Sequence, residues 1–438
     1  MMKFGHIDFS VVLMIAVVQV SCGDNSHPSE ENPAMNDIRE VNANEILQGG
    51  SLYALVGATL VDGTGVPPME NSCVIVRNHQ IVAVGKNGKV NIPNGAEILN
   101  LSGLTLVPGL IDAHYHDEDS DTLTTLYLRN GITSVRDPGE WIESYDILRE
   151  SGKVLPRLFL AGPHLDMFPP AYPEDSYIVR DEEEAQLAVH NLRARGATVI
   201  KIYYGLSIGM IREVCRTAKN LGIPVTAHLE ITNARDAIRA GLDGIEHVTS
   251  FGTCLLPMRE VERYKQSVMT DKNARQKGRY GIWSSFNFDN NLEADSLIAF
   301  LKSRKTFVSP TLAVFERRAD RGDSIEVKGF ANMLRFVGLA AAGGATMVVG
   351  SHSYVPYAEQ GWALHREMEL LHEAGLTPME VIVAATLQNA RFFRTDRRLG
   401  SIEKGKLADL VVVEGNPLLD IKALRNVKRV MLNGVWVY

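Results

Sequence analysis

Two histidines, His114 and His116, stand two residues apart directly after the apolar segment Leu106–Ile111. Side chains at positions i and i+2 of a strand point to the same face, so both imidazoles can reach one metal ion. The neutral imidazole is a common ligand of zinc-like ions. In a chain with 12 histidines such a pair also arises by chance, as part of an ordinary surface loop. Its position after an apolar segment favours a metal site.

Three further candidate ligands lie downstream of this pair. Lys201 stands inside the apolar segment Val199–Tyr203, where a charged amine carries a large desolvation cost unless it is paired or modified. His228 and His247 each follow a short apolar segment. Taken singly, a lysine that extends to solvent and histidines bonded to the backbone are the simpler explanations. Their succession at consecutive strand ends favours one shared metal centre.

The segment Thr105–Asp119 resembles the signature of the amidohydrolase superfamily, whose metal-dependent barrels include imidazolonepropionase, dihydroorotase and prolidase-like peptidases. The resemblance extends from about Leu52 to the C-terminus. Gly400–Leu410 closely resembles the motif at which chains of this superfamily return to a small β domain. The second half of the chain is most similar to the imidazolonepropionase-like and prolidase-like branch. The resemblance implies a metal-dependent hydrolase of carbon–nitrogen bonds in an amide, a cyclic amide or a dipeptide.

The resemblance also implies a metal-binding set. Two divalent ions, with zinc as the expected metal, activate a bridging hydroxide and polarise the scissile carbonyl. Lys201 matches the lysine that becomes N-carboxylated in this superfamily and bridges the two ions. Manganese, iron and cobalt suit the same mixture of histidine and carboxylate ligands. The implied ligands are His114, His116, Lys201, His228, His247 and His352.

The sequence departs from the superfamily after the eighth predicted strand. The superfamily has Gly-Thr-Asp there, and the aspartate binds the first ion and accepts a proton, whereas this chain has Gly350-Ser351-His352. A neutral imidazole is able to replace a carboxylate as a ligand, and its pKa near neutrality suits a general base. Three outcomes follow. His352 is the catalytic base, or a carboxylate such as Glu359 or Glu230 takes the proton, or the site binds metal with little activity.

Four residues near predicted strand ends are candidate substrate contacts, namely Tyr203, Tyr204, His164 and Arg136. A tyrosine hydroxyl is able to bind a substrate carboxylate or an oxyanion, although each tyrosine also suits simple packing. The expected partner is a small-molecule amide or peptide. The alternatives are a hydrolase of esters, lactones or phosphotriesters on the same site, and a metal-binding pseudoenzyme that the replacement at His352 would explain.

Strand and helix signals alternate along the middle of the chain, which predicts a parallel α/β domain. Eight candidate strands match the count of a (β/α)8 TIM-type barrel, whose active site lies at the C-terminal ends of its strands. The segment from Ser250 to Arg304 is too long for one connection and is predicted to form a partly helical lid. The candidate strands are Leu104–Ile111, Ile132–Arg136, Leu158–Ala161, Val199–Tyr203, Pro224–Ala227, Gly244–Glu246, Phe307–Ser309 and Met347–Gly350.

Short strand signals near both termini are too few for two separate cores, which predicts one small β-sandwich built from both ends of the chain. Residues 51–104 and 398–438 would form this sandwich, and residues 105–397 would form the barrel. The composition fits such a globular protein, with 438 residues, 45% hydrophobic and 22% charged. A net charge of −7 provides no basic surface, so nucleic acid is not an expected partner.

The N-terminus carries a separate signal. Lys3 precedes the apolar run Phe9–Val20, which predicts an export signal over residues 1–22 and a polar tether over residues 23–50. Val20-Ser21-Cys22 resembles a bacterial lipoprotein cleavage box, which would attach a lipid to Cys22 and hold the protein at a membrane. Ordinary signal cleavage and an uncleaved anchor are the alternatives. The expected location is outside the cytosol, periplasmic or membrane-anchored, and the oligomeric state is left open.

Overall fold

A computed structural model describes residues 51–116 and 122–438. The predicted signal segment and tether lie outside the described residues. Among the described residues, no helix combines the length and the apolar character needed to cross a bilayer. The fold is therefore given below for the predicted sandwich and barrel regions alone.

The strands of the described chain are short. They are β1 (Leu52–Val56), β2 (Thr59–Leu60), β3 (Ser72–Arg77), β4 (Gln80–Lys86), β5 (Glu97–Asn100), β6 (Leu104–Pro108), β7 (Leu110–Asp112), β8 (Ile132–Asp137), β9 (Arg157–Leu160), β10 (His164–Asp166), β11 (Ser176–Ile178), β12 (Ile200–Ile202), β13 (Val225–His228), β14 (Gly244–Glu246), β15 (Phe307–Ser309), β16 (Thr346–Met347), β17 (Leu410–Glu414), β18 (Val427–Leu432) and β19 (Val435–Trp436).

Helices follow most of the central strands. They are α1 (Leu123–Arg129), α2 (Asp146–Glu150), α3 (Glu182–Ala194), α4 (Ile208–Asn220), α5 (Ala234–Ala240), α6 (Gly252–Leu255), α7 (Met258–Thr270), α8 (Ala274–Ser285), α9 (Leu292–Arg304), α10 (Leu312–Phe315), α11 (Ser324–Ala342), α12 (Ala363–Glu373), α13 (Pro378–Val383) and α14 (Asn389–Phe392). One turn of π-helix, Ala384–Gln388, joins α13 to α14.

The central strands are parallel, as the alternation of strand and helix signals predicts. A seven-stranded parallel sheet has the order β11-β10-β12-β13-β14-β15-β16, and a three-stranded parallel sheet has the order β7-β8-β9. Nearly every residue of these strands is buried, because helices cover the sheets and leave no face for solvent. The prediction of a mixed α/β fold is confirmed. β10 and β11 are additional strands that the sequence did not predict.

The first predicted barrel strand, Leu104–Ile111, is in fact two strands in different sheets. β6 pairs with β17 and β2, whereas β7 pairs with β8. The chain changes sheet at Gly109, where a Cβ atom would stand 2.1 Å from the Thr133 hydroxyl oxygen. Only glycine fits this close approach. The sequence pattern predicts one strand here because the residues on both sides of Gly109 are apolar and buried.

Both ends of the chain contribute to one small sandwich. Its five-stranded sheet has the order β19-β18-β17-β6-β2, and its four-stranded sheet has the order β4-β3-β1-β5. Apolar side chains from the two sheets share one core, which includes Leu55 and Val74 from one and Leu106, Leu410 and Met431 from the other. Neither end supplies this core alone, because its apolar side chains come from strands near both termini.

The helix boundaries follow local capping signals. The Asp181 carboxylate accepts a hydrogen bond from the Glu184 amide at the start of α3, whose first turn is acidic. Thr377 and Glu380 form a reciprocal capping box at the start of α13, with Pro378 in the first helical position. These side chains satisfy amide groups that have no partner within the helix. Local sequence therefore fixes where these helices begin.

The long segment after β14 is helical, as predicted for a lid. It contains α6, α7, α8 and α9 before β15 begins. Helix α8 packs along α11, and Trp283 of α8 is fully buried against Phe336 of α11. The segment is therefore anchored by a well-packed aromatic contact, which fixes the position of the side chains on the other faces of α8.

A buried ion pair connects the sandwich to the strand region. Arg157 of β9 donates to both carboxylate oxygens of Asp409, at 2.6 and 3.0 Å, and also to the Asn433 side-chain oxygen. The side chains of the pair are only 2% and 5% exposed. Two parallel hydrogen bonds between a guanidinium and a carboxylate have a strict geometry, so the pair sets the relative position of β9 and β17.

We expect Asp409→Ala to lower the free energy of unfolding by about 3–5 kcal/mol, because it leaves the Arg157 guanidinium buried without a counter-charge. The measurement is urea unfolding followed by circular dichroism. Asp236→Ala is the control, since it removes an exposed i,i+3 pair with Arg239 and should change stability by less than about 1 kcal/mol. Equal unfolding curves for the two variants would contradict the structural role of the buried pair.

Candidate metal centre

Six side chains converge on one cavity at the C-terminal ends of the parallel strands. The cavity has a volume of about 330 Å³, and all six ligands that the resemblance implied line it, namely His114, His116, Lys201, His228, His247 and His352. The strands that carry them or end just before them are β7, β12, β13, β14 and β16. Carboxyl ends of parallel strands share one edge, which brings residues far apart in sequence together.

The tightest group contains His114, His116 and His352. One ring nitrogen from each lies within 4.8 Å of the others, and the Nε2 atoms of His114 and His116 are 3.1 Å apart. His228 and His247 stand beside this group, with ring centroids 4.3 Å from each other and 4.7 Å between His247 and His114. Five imidazoles at this spacing are compatible with one divalent ion or with two adjacent ones.

Hydrogen bonds orient three of these rings. Glu246 lies 2.8 Å from Nδ1 of His114, and the Thr311 hydroxyl lies 2.6 Å from Nδ1 of His247. Glu230 lies 3.2 Å from Nε2 of His228. Because a carboxylate only accepts, the ring nitrogens of His114 and His228 donate to it, which leaves the opposite nitrogen with a lone pair. This is the arrangement in which a histidine binds metal.

Glu246 is fully buried and satisfies several groups at once. Its carboxylate accepts hydrogen bonds from Arg136 at 2.7 Å and from the Thr226 hydroxyl at 2.8 Å, in addition to the bond with His114. Arg136 also donates to the Ala113 carbonyl oxygen and stacks on Phe392. Arg136 is therefore not among the residues that line the cavity, contrary to its predicted contact with substrate. Its charge is used instead to hold the buried Glu246 carboxylate.

Lys201 is the least satisfied polar group of the site. Its ammonium nitrogen is buried and has no hydrogen-bond partner among the described residues. Burial is the main cause that lowers the pKa of Lys201 to about 8, and the Glu246 carboxylate opposes this only in part. An unpaired buried amine of this kind is costly, so the side chain suits a modification or a ligand that supplies an anion beside it.

The pKa values of all five imidazoles are shifted downward. Burial is the main cause, and the charge of Lys201 adds to it. It brings the pKa of His116 to about 4 and those of His228 and His352 to about 3. The rings are therefore neutral at physiological pH, which is the form that binds metal ions. A divalent cation would meet no positive charge on these ligands.

His352 occupies an unusual backbone conformation. Its φ angle is +72° and that of Ser353 is +60°, and the His352 amide donates to the His114 carbonyl oxygen at 2.6 Å. Left-handed backbone is uncommon for residues other than glycine, but His, Asn and Asp are enriched there. The turn brings the His352 ring to a centroid distance of 4.8 Å from His116. Aspartate would tolerate the same backbone, so the position accepts either residue.

The two carboxylates considered as alternative bases lie elsewhere. Glu359 is exposed and is not part of the cavity wall. Glu230 is buried behind His228. Burial alone would raise the pKa of Glu230, but Arg279 and the hydrogen bonds from His228 and Tyr264 outweigh it and lower the pKa to about 2. Such a strongly held carboxylate is a poor proton acceptor, and it acts on the site through His228.

Of the four predicted substrate contacts, two line the cavity. These are Tyr203 and His164, whose rings are 4.5 Å apart. Tyr204 packs against Tyr203 and is not in the cavity wall, because the chain after β12 turns its side chain away.

The sequence analysis missed several residues at the site. Glu246 was recognisable as a charged residue within a buried strand. Asp137, at the end of β8, lines the cavity, and its position after an apolar strand was the available signal. The lid residues Arg275, Gln276 and Arg279 also line it. The predicted lid includes α8, but its sequence did not indicate which of its side chains face the site.

We expect Glu246→Gln to weaken zinc binding by about 10- to 100-fold, because the carboxylate that orients His114 is lost. The affinity is measured by competition with a chromophoric chelator. Thr226→Val removes one hydrogen bond to Glu246 and keeps its charge, so it should have a smaller effect. Glu414→Gln is the control, since Glu414 is exposed and pairs with Lys428. Unchanged affinity in a folded Glu246→Gln protein would rule out the positioning role.

The chain is similar to several solved structures along most of its length. A protein from Bifidobacterium longum that is provisionally named a prolidase has 25% identity and a TM-score of 0.67, over 89% of this chain and 95% of that one. A Xaa-Pro dipeptidase has 21% identity and a TM-score of 0.66, over 88% and 99%. The ochratoxinase of A. niger has 20% identity and a TM-score of 0.67, over 88% and 95%. The last two likenesses concern the fold alone.

A curated relative matches a much shorter stretch. The N-acyl-D-aspartate deacylase of Alcaligenes xylosoxydans xylosoxydans is 38% identical over 66 residues, which are 15% of this chain and 12% of the deacylase. The model of the amidohydrolase family matches residues 105–437, which span the predicted barrel and the C-terminal strands. The resemblance inferred from the sequence is thereby confirmed. This chain belongs to the amidohydrolase family.

Proposed function

We propose that this protein is a metal-dependent hydrolase of carbon–nitrogen bonds in small amides or dipeptides. The observation that carries the proposal is the convergence of five neutral imidazoles and an unpaired buried lysine on one cavity. Membership of the amidohydrolase family and similarity to prolidase-type structures support the choice of bond. The cavity volume of about 330 Å³ suits a small substrate, because it is at the lower end of the usual range for ligand pockets.

The donor set supports two divalent ions, and zinc is the metal that we propose. His114, His116 and His352 would hold one ion, and His228 and His247 the other, while an N-carboxylated Lys201 would bridge them. Carboxylation requires the neutral amine, which the lowered pKa of Lys201 favours, and it yields a carbamate with oxygen donors. Ions bound there would supply Lewis acidity to the attacking water and to the scissile carbonyl.

We propose that His352 is a metal ligand rather than the catalytic base expected from the sequence. A neutral imidazole that binds an ion through one nitrogen carries its proton on the other, so no lone pair remains to accept a further proton. The lowered pKa of His352 also weakens it as a base. Its ring nitrogen lies within 4.8 Å of those of His114 and His116, which supports the ligand role.

We also propose that the parallel strands close into one (β/α)8 barrel. β9 pairs with β8, and β10 pairs with β12, so the interrupted strand Arg157–Asp166 would join the two sheets. The Thr198 amide donates to the Leu160 carbonyl oxygen at 2.9 Å across this junction. At the opposite edges, the Ala113 amide donates to the Val349 carbonyl oxygen at 2.9 Å. Eight strands joined at both edges are the topology of this barrel.

The proposed cellular location is outside the cytosol, with a lipid on Cys22 as the proposed membrane attachment. The basis is the N-terminal sequence, in which the apolar run Phe9–Val20 is followed by a small residue and a cysteine. A hydrolase placed there would act on amides or peptides from the surroundings. Fractionation of cells and mass spectrometry of the N-terminal peptide would test both parts, and protein found only in the cytosol would refute them.

We expect the zinc-loaded protein to hydrolyse N-acyl amino acids or dipeptides and to act weakly on lactones, esters and phosphotriesters with matched acyl or aryl groups. The two ligand sets and the family favour an amide as the scissile bond. Initial rates are measured on a panel at fixed metal content. The His228→Asn, His247→Asn double variant is the control for contaminating activity and should fall to background. A preference for esters or phosphotriesters would contradict the proposal and favour the alternative, a hydrolase of esters, lactones or phosphotriesters.

We expect about two zinc ions per chain, by elemental analysis, in the wild-type protein and in His352→Asp, since either residue provides one donor atom. Lys201→Met should bind fewer, because it removes the proposed bridge. One ion or fewer in the wild type, restored to two by the aspartate, would mean that His352 breaks the first site. The metal-binding pseudoenzyme would then be the better description.

A further inference from the structure

Arg275 is a buried cation that the proposed reaction does not use. It lies on α8 in the lid and lines the cavity together with Gln276 and Arg279. Arg275 is only 5% exposed to solvent. Arg275 lies on the lid, whereas the candidate metal ligands lie at the strand ends. It therefore places a permanent positive charge on a different side of the cavity.

The contacts of Arg275 are aromatic and neutral. One guanidinium nitrogen donates to the Tyr203 hydroxyl at 2.6 Å, and the guanidinium carbon lies 4.9 Å from the centroid of the Tyr172 ring. The guanidinium carbon also lies 5.7 Å from the ring centroids of Tyr203 and Tyr204. No carboxylate forms an ion pair with Arg275 among the described residues. Its fork of five N–H donors is therefore mostly unused.

The carboxylate of Glu230, whose charge acts on Arg275, is already engaged. Glu230 pairs with Arg279 at 3.2 Å and accepts further hydrogen bonds from Tyr264 and His228. Its charge acts on Arg275 only at longer range. Asp137, Glu140 and Asp175 also line the cavity, so the cavity as a whole is not positive. A buried guanidinium without a bonded counter-charge is costly. An anionic group would therefore bind through direct hydrogen bonds to Arg275, and not through an overall positive potential of the cavity.

We propose that Arg275 binds the free carboxylate of the substrate, so that the substrate is an N-acyl amino acid or a dipeptide with its carboxylate next to the scissile amide. This inference rests on the proposed C–N bond hydrolysis. A guanidinium matches a planar carboxylate through two parallel hydrogen bonds. The Tyr203 ring lies 4.8 Å from the ring of His228 and carries the hydroxyl that Arg275 contacts. One tyrosine therefore separates the carboxylate site from the metal ligands, which suits a short substrate.

The test uses ligand pairs that differ only in this carboxylate. N-acetylglycine and the L and D forms of N-acetylated alanine, leucine, phenylalanine, proline and aspartate are each compared with the corresponding α-amides. Hydrolysis rates and binding, by calorimetry on the zinc-loaded protein, are measured for each pair. We expect the acid of the best pair to be favoured by about 10- to 100-fold over its amide, in kcat/KM and in affinity, as for a charged hydrogen bond.

Three variants isolate the contribution of Arg275. Arg275→Met keeps an unbranched side chain and removes the charge, so the ratio of kcat/KM for the acid to that for its α-amide should fall close to one, mainly through KM. Arg275→Lys should retain part of the preference, because a lysine keeps the charge but not the fork. Arg263→Met is the matched control, since Arg263 lies on the lid helix α7 and its side chain is 68% exposed. Thermal unfolding verifies that each variant is folded.

The outcomes separate this proposal from the proposed function. Suppose that no N-acetyl compound is hydrolysed, but that the free acid binds more tightly than its α-amide and Arg275→Met abolishes this difference in affinity. The carboxylate site then stands and the proposed hydrolase activity fails. If the N-acetyl bond is hydrolysed but the free acids have no higher kcat/KM or affinity than their α-amides, the carboxylate site fails. An advantage for acids that persists in Arg275→Met also overturns it, because the metal ions would then bind the carboxylate.

Discussion

The site depends on one buried carboxylate, Glu246. A charge without access to water requires compensation, and here it comes from the Arg136 guanidinium, the Thr226 hydroxyl and the imidazole of His114. These partners come from strands β8 and β13 and from the end of β7, so one desolvated group fixes three neighbouring elements relative to each other. The arrangement also fixes which nitrogen of His114 faces the cavity. The orientation of a candidate metal ligand and the packing of the strand region are thus coupled through the same side chain.

The lid completes the cavity with charges of its own. Helix α8 is held from behind by the contact of Trp283 with Phe336, and it presents Arg275 and Arg279 to the cavity. Arg279 neutralises Glu230, which in turn orients His228. The lid is therefore linked to the candidate ligand His228 through the ion pair of Arg279 with Glu230. The charge of Arg279 therefore acts on His228 through Glu230.

The sandwich has a structural part in this arrangement. Its core needs strands from both ends of the chain, and the Arg157–Asp409 pair joins it to β9. β6 and β7 are separated only by Gly109, so the strand that precedes His114 and His116 begins where the sandwich sheet stops. The position of the first two ligands is thereby tied to the folding of both termini.

The sequence by itself determined the parallel α/β class, and its resemblance to the amidohydrolase superfamily implied the six residues that line the cavity. The class follows from the alternation of strand and helix signals, which is a local pattern, whereas the six residues follow from matching their positions to the motifs of the superfamily. The tertiary structure alone decided that Arg136 faces Glu246 rather than substrate. It also placed Arg275 at the cavity. Both depend on contacts between elements distant in the chain, where burial and the pairing of charges, not local pattern, select the partner.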